Sequence, residues 1–513
     1  MRYHTARTAD LSPRWPPARG RSAPGPRPGA RHAQVMGEGL QAVRTALAGR
    51  RAWLVGGAVR DHALGRHSHL SDIDVVVDGD PGESARAIAG AAGRAACFAL
   101  SEEFGAWRVV APDSSWQVDV EALRGGSLEQ DLRLRDFTVN AIAEPVAGGA
   151  PIDPLGGLAD LAARRLRMAG PGGFAEDPLR VLRLARVAIE LDLEPEHETM
   201  SAAVAQAGAL QAVSQERVFV ELRRILASTR ARPGFELLGE LGATAVVLPE
   251  LDALRGVEQN RYHHRDVYGH TLEVLDRVVD MTEADDRELD GADLWMAQHR
   301  AEVTALLAEP LADGLTRGEA LRWGALLYDA AKPLTRETRL ADGRVTFIGH
   351  DVRGAELARE VLSRLRASER LRAHVAALVR HHLRPGFLVH EPQPLPRRAV
   401  FAYLQACAPV QADVTLLSVA DRLATRGDRA EESIGAHLRV AGRLLADALR
   451  WHADGPPPPL VRGDELAAKL EIPVGPRIGE LLLAIAEAQY AGELATPEQA
   501  LAYARTLAGA ESI

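Results

Sequence analysis

The stretch Leu54-Val55-Gly56-Gly57-Ala58-Val59-Arg60-Asp61, with Ser71-Asp72-Ile73-Asp74-Val75-Val76-Val77 downstream of it, decides how this chain reads. An apolar run enters two glycines and leaves as a helix-forming run, so the first stretch predicts a strand, a tight turn and a helix. The β-branched second stretch predicts another strand. Around them Trp53–Val55, Ile73–Val77, Ala106–Ala111 and Trp116–Val120 read as short strands alternating with helical segments, from Ala52 to about Leu166. Beyond Pro178 the apolar residues recur at the helical period in Leu179–Leu191, Val218–Leu226, Thr271–Val279, Leu321–Asp329 and Leu416–Leu423. The class expected is therefore α+β, a small mixed unit followed by helices, with the proline-rich Gly455–Pro459 setting off the last of them.

Composition narrows the setting. A chain of 513 residues that is 46% hydrophobic can bury cores for two to four domains. Its apolar runs, such as Leu481–Ile485, are far shorter than the ~20 residues that span a bilayer, so a soluble protein without membrane contact is expected. Cys97 and Cys407 are the only cysteines, too few for a disulfide framework, which points to a reducing compartment, the cytoplasm. A net charge of −9 argues against a uniformly basic surface. Arginines nonetheless gather between Arg164 and Arg186 and between Arg217 and Arg232, either as a local basic face for a phosphate backbone or as a solvated helix surface. Residues 1–35 are rich in Arg, Pro and Gly and are expected to be disordered, with Met36 a plausible alternative start.

The chemistry sits in the opening stretch. Backbone N–H groups at a glycine turn entering a helix can cradle a phosphate, and Arg60 stands one turn in, able to reach the same anion. Side chains two apart on a strand share a face, so Asp72 and Asp74 converge, and such a pair of hard oxygen ligands beside a phosphate site suits Mg²⁺. Asp119 and Glu121 share a face on Gln117-Val118-Asp119-Val120-Glu121, and Asp119 is the candidate third carboxylate, with an ordinary exposed strand face as the equal alternative.

Several motifs in order resemble one family. They are Gly56–Asp61, the Asp72/Asp74 pair, Leu132-Arg133-Leu134-Arg135-Asp136-Phe137-Thr138-Val139-Asn140-Ala141, Asp153–Gly157, Glu176–Arg186 and Glu216–Leu222. Their order and spacing over about Trp53 to Leu226 are similar to those of bacterial tRNA nucleotidyltransferases and their poly(A) polymerase relatives. The resemblance implies a polymerase-β-type nucleotidyltransferase head followed by all-α neck, body and HD-like domains, with boundaries near 36–165, 166–262, 263–430 and 431–513. It implies that the enzyme adds C and A from CTP and ATP to the tRNA 3′ end. Gly56, Gly57, Arg60, Arg135, Asp136 and Asn140 would contact the nucleotide, Asp72 and Asp74 would bind Mg²⁺, and Asp177, Arg180, Arg183 and Arg186 would form a recognition helix. Three apart on such a helix, Asp177 and Arg180 would offer an acceptor beside a donor fork, which matches the amino group and ring nitrogen of C and A and clashes with U and G. A surface salt bridge with a capping acid is the alternative for that pair.

Two features depart from the pattern. CCA-adding members carry a long flexible segment where this chain has only Ala122–Asp131, a shortening that resembles relatives restricted to adding C. Downstream, His270, Ala325–Pro333, His350, His381-His382 and Asp421 resemble an HD phosphohydrolase domain, but Tyr328-Asp329 replaces its His-Asp pair. A phenol is a poor substitute for imidazole, so His270, Asp329 and Asp421 are expected to hold a metal weakly or to serve only as scaffold. Poly(A) addition and phosphohydrolysis are the competing activities.

Overall fold

The computed structural model describes residues 29–65, 72–101, 105–259, 264–283, 294–341, 343–426 and 430–510. Ser71 and most of the segment expected to be disordered, residues 1–28, lie outside the described residues; the last part of that segment belongs to helix α1, Gly29–Ala46, which runs through Met36. The chain divides into two compact units: residues 1–134 with 139–158, and residues 135–138 with 159–513.

The first unit is built on a six-stranded sheet. Its strands are β1 Ala52–Val55, β2 Asp72–Val77, β3 Ala96–Ser101, β4 Ala106–Val110, β5 Gln117–Ala122 and β6 Ala143–Pro145, in the order β3-β4-β5-β2-β1-β6. Only β2 and β5 run parallel; the other pairings are antiparallel. Helix α2, Gly57–Ala63, follows β1, and helix α3, Pro81–Ala91, follows β2 and packs on β4 and β5. Asp80 starts α3 by accepting from the amides of Gly82 (2.7 Å) and Glu83 (3.2 Å), as an N-cap carboxylate does. Val75, Val109, Val118, Val120 and Ile88 are fully buried between sheet and helix, so the apolar phase of each strand fixes which side chains face the opposite way.

After β5 the chain turns at once. Gly125 and Gly126 both adopt positive φ (70° and 80°), and a Cβ on Gly125 would lie 2.8 Å from Gln130 Cβ, so the turn requires glycine. Ser127 then caps helix α4, Leu128–Arg133, and the buried Asp131 accepts from the amide (3.2 Å) and Nε (3.0 Å) of Arg124, closing the turn from below.

The second unit is helical. The elements that carry its ionic groups are α5 Arg180–Leu191, α6 Gln215–Ala227, α7 Val267–Thr282, α8 Arg317–Leu327, α9 His350–Arg364, α10 Glu369–His381 and α11 Gln411–Ala424. One side chain binds three of them. Arg322 of α8, almost wholly buried, donates to the carbonyls of Leu226 (3.1 Å), Ala227 (2.7 Å) and Ser228 (3.2 Å) at the C-terminus of α6. It also donates to Thr282 Oγ1 (2.6 Å) and Glu283 Oε1 (2.6 Å) at the end of α7. A cation there satisfies last-turn carbonyls and meets the negative end of the helix dipole. The last helices close a small core of their own around Val461, Leu466, Ile478, Leu481, Ile485, Ala500 and Ala504. Among the described residues no single helix is long and apolar enough to cross a membrane.

Candidate active site

In the first unit the glycine turn and the carboxylates are set by the sheet. Gly56, with φ 73°, is the residue from which α2 starts, and this positive φ is the reason for glycine there. Arg60 folds back over the turn, its Nη2 only 3.5 Å from where a Cβ on Gly57 would stand. Its Nε donates to Asp61 Oδ1 (2.8 Å) and its Nη1 to Asn140 Oδ1 (2.6 Å). The guanidinium is thus oriented by two neighbours, as a phosphate-binding arginine needs to be.

Asp72 is exposed and Asp74 half-buried on β2, two apart and so on one face. The parallel register sets Asp74 beside Asp119 of β5, so the two carboxylates share a face. Asp119 is nevertheless committed elsewhere. Arg108 on β4, directly opposite it, grips both oxygens (Nε to Oδ1 2.7 Å, Nη2 to Oδ2 2.7 Å). The hydrogen bond to Asp119, and after it the charges of Asp119, Asp72 and Asp74, raise the pKa of Arg108 further above its ordinary value, whereas partial burial opposes them. Asp72 and Asp74 thus share a face with a third carboxylate that is neutralised by Arg108, an arginine that sequence reading did not single out. Its one signal is a lone cation in the apolar strand Ala106-Trp107-Arg108-Val109-Val110.

In the second unit the expected recognition helix is rearranged. Asp177 is not on it: as the residue before Pro178 it is held extended (φ −140°, ψ 95°), and α5 begins only at Arg180. Its Oδ1 caps the amide of Leu179 (3.2 Å) and its Oδ2 accepts from Arg217 Nη2 on α6 (2.8 Å). Arg180 is buried, donates through Nη1 to the Arg135 carbonyl (3.2 Å), and passes where a Cβ on Gly173 would lie 2.7 Å away. Burial lowers its pKa, with Asp136, Asp177 and Glu176 opposing.

The other two arginines of α5 are structural partners first. Three apart, Arg183 and Arg186 share the face that packs on α6, where the buried Glu221 accepts from Arg183 Nε (3.2 Å) and Arg186 Nε (2.6 Å). Arg183 Nη1 also meets Asp136 Oδ2 at 3.4 Å, and Asp136 Oδ1 caps the amide of Phe137 (2.8 Å). Arg186 adds a bond to Glu190 Oε2 (2.8 Å); burial works against its charge, but Glu221 and Glu190 outweigh it. Arg186 is thus a buried tie between α5 and α6.

The HD-like residues gather about one phenol, that of Tyr328. His270 Nε2 lies 2.9 Å from Asp421 Oδ1, and the buried Tyr328 donates its hydroxyl to the same oxygen (3.1 Å). Burial, with Asp329 and Asp421 adding negative charge, pushes that phenol well above its ordinary range. Asp329 is grouped instead with His350 and His382, and its Oδ2 pairs with Lys332 Nζ (2.8 Å). Burial disfavours the Asp329 carboxylate, yet Lys332 and His350 hold it below the usual range. The Tyr328 phenol, bonded to Asp421 and ring-to-ring with His382 at 5.1 Å, stands among the expected ligands His270, Asp329 and Asp421.

Comparison with known proteins agrees with this layout. Residues 52–167 match the Poly A polymerase head domain, residues 192–255 the probable RNA and SrmB-binding site of polymerase A, and residues 267–426 the HD domain. The A-adding tRNA nucleotidyltransferase of Deinococcus radiodurans is 38% identical, over 88% of this chain and 94% of the relative. The CC-adding tRNA nucleotidyltransferase of Thermus thermophilus is 34% identical, over 88% and 92%. Among solved structures, the Thermotoga maritima CCA-adding enzyme complexed with tRNA superposes with a TM-score of 0.57 at 18% identity, covering 93% of this chain and 98% of that one, a likeness of fold.

Proposed function

The chain belongs to the tRNA nucleotidyltransferase family, and from that premise we propose that it is the CC-adding kind, building the tRNA 3′ end from CTP in a reducing, cytoplasmic setting. The observation that carries the choice of nucleotide is the turn after β5. In place of a long flexible segment the chain closes within Leu123–Ser127, with two obligatory glycines and Asp131 tying Arg124 down. A segment fixed in this way has no slack with which to reshape a pocket between CTP and ATP. Addition of A alone is the second reading, favoured by the 38% identity to an A-adding relative.

The tRNA 3′-hydroxyl attacks the α-phosphate in line and pyrophosphate leaves. Asp72 and Asp74 fit Mg²⁺: with Asp119 neutralised by Arg108, the donor set is two hard carboxylates completed by substrate phosphates. Two Mg²⁺ ions held there would supply a lowered pKa for the attacking hydroxyl and charge stabilisation for the departing pyrophosphate. Arg60, oriented by Asp61 and Asn140 over the glycine turn, holds the triphosphate, aided by Arg135. Asp177 and Arg180 read the base, one fixed by Arg217 and the Leu179 amide, the other by the Arg135 carbonyl. Replacing Arg180 with Ala is expected to blur the choice of nucleotide more than it weakens tRNA binding, read from misincorporation of UTP.

The deciding experiment supplies labelled CTP and ATP, separately and together, to tRNAs ending at the discriminator base, in C and in CC, with products resolved to single nucleotides. Products that stop at CC support the proposal. Extension only of the CC-ended tRNA by one A supports the second reading, and a ladder of A on any RNA would overturn both.

A further inference from the structure

The sheet unit carries an exposed aromatic ring in line with its carboxylates. The register pairs Asp74 of β2 with Asp119 of β5, Asp119 with Arg108 of β4, and Arg108 with Phe98 of β3. Residues directly opposite one another share a face, so these side chains form one row across the sheet. Helix α3 covers the other face, where Val109, Val118 and Val120 are buried. It also takes the neighbouring aromatic, Trp107, whose Cε2 lies 2.8 Å from where a Cβ on Gly82 would stand. Phe98 is on the side away from α3 and is 46% exposed.

An isolated apolar side chain on a surface is ordinary; the row gives this one a use. On one side β2 is flanked by β1, whose end leads into the glycine turn and Arg60, and on the other by β5, β4 and β3 in turn. A triphosphate held at the turn releases its pyrophosphate toward β1. Attacking and leaving oxygens lie in line on opposite sides of the transferred phosphorus, so the hydroxyl comes from the side of β5. The strand that carries it is then led back over β4 and β3. Strand spacings of ~4.8 Å put Phe98 roughly 14 Å from Asp74, a span that about four stacked bases fill at ~3.4 Å each, or fewer if extended.

We propose that Phe98 is a stacking platform for the tRNA 3′ strand, holding an unpaired base behind the terminal nucleotide while the terminal hydroxyl reacts. An uncharged ring has little to offer a phosphate, but every base has a face to lay on it, so the contact is indifferent to which base arrives. That suits a strand whose last bases change with each round of addition. The inference rests on the transferase reading of Asp72 and Asp74, not on whether C or A is added.

The test follows steady-state transfer by the full chain onto tRNAs ending in C and in CC, supplied with CTP and ATP, for wild type, Phe98→Ala, Phe98→Leu and Phe98→Tyr. Phe98→Ala and Phe98→Leu are expected to raise the KM for tRNA about tenfold with the KM for the incoming nucleotide unaltered, and Phe98→Tyr, which keeps the ring, to match wild type. A fluorescent purine at the discriminator position of the CC-ended tRNA, bound without nucleotide, is expected to be quenched by wild type and Phe98→Tyr and to stay bright with Phe98→Ala. A KM for tRNA that Phe98→Ala leaves unmoved, a Phe98→Leu that matches wild type, or equal quenching by wild type and Phe98→Ala would overturn the inference. The same reactions show which nucleotide is added, so failure of the CC-adding reading appears in the product and failure of the platform in the KM for tRNA.

Discussion

The sheet unit and the helical unit both concentrate charge, and they treat it in opposite ways. On the sheet face Asp72 is exposed and Asp74 half-buried, and the single arginine among them, Arg108, spends its fork on Asp119. In the helical unit Glu221 is shared by Arg183 and Arg186, and Asp329 is paired with Lys332. An exposed carboxylate such as Asp72, on a face that also carries Asp74, is accessible to an incoming ion. A carboxylate buried between matched partners, as Glu221 is, serves the packing instead, because removing either partner leaves a charge in a low dielectric. Residue type alone does not separate the two cases; exposure and prior commitment do.

That contrast can be broken at four points. The largest effect is expected from Asp74→Ala, which should lower transfer by on the order of a thousandfold or more while tRNA retention on filters stays nearly unchanged. Retained turnover would remove the open carboxylates from the chemistry. Next, Arg186→Leu leaves Glu221 with half its compensation and should cost roughly 3 kcal/mol in denaturant unfolding, with little change in the KM for CTP. A raised KM with unaltered stability would return Arg186 to the nucleotide. Arg108→Ala frees Asp119 and removes a positive charge from the face, so the Mg²⁺ concentration for half-maximal transfer should fall by about fivefold, the equivalent of ~1 kcal/mol. A rise would mean that Arg108 serves the triphosphate. The smallest is Tyr328→Phe, which loses one hydrogen bond to Asp421 and should lower stability by about 1 kcal/mol with transfer unaffected.

What the sequence disclosed follows the same division. The strands Trp53–Val55 and Ile73–Val77 and the helix Leu179–Leu191 were legible to within a residue or two, because their apolar period is local. The Asp72/Asp74 pair was legible because a strand places alternate residues on one face without help from distant parts. Arg108, Glu221 and Arg322 were not, since their partners stand eleven, thirty-five and up to ninety-six residues away and no nearby pattern announces them. Asp177 was misplaced for a different reason. Its spacing to Arg180 fits a helix, but Pro178 excludes that conformation for the residue before it. The HD-like residues were recognised singly, and only the fold could show that the Tyr328 phenol lies among them.

Arg322 gives the helical unit a history as well as a stability. It belongs to the region that matches the HD domain, yet it closes the carbonyl end of α6, the helix that supplies Glu221 to α5 and Arg217 to Asp177. Descendants of this chain are free to erode the chemistry of that region residue by residue, but excising it would uncap a helix the transferase requires. The clamp acts as a ratchet on gene length: whatever becomes of that region's chemistry, its helices are held in place.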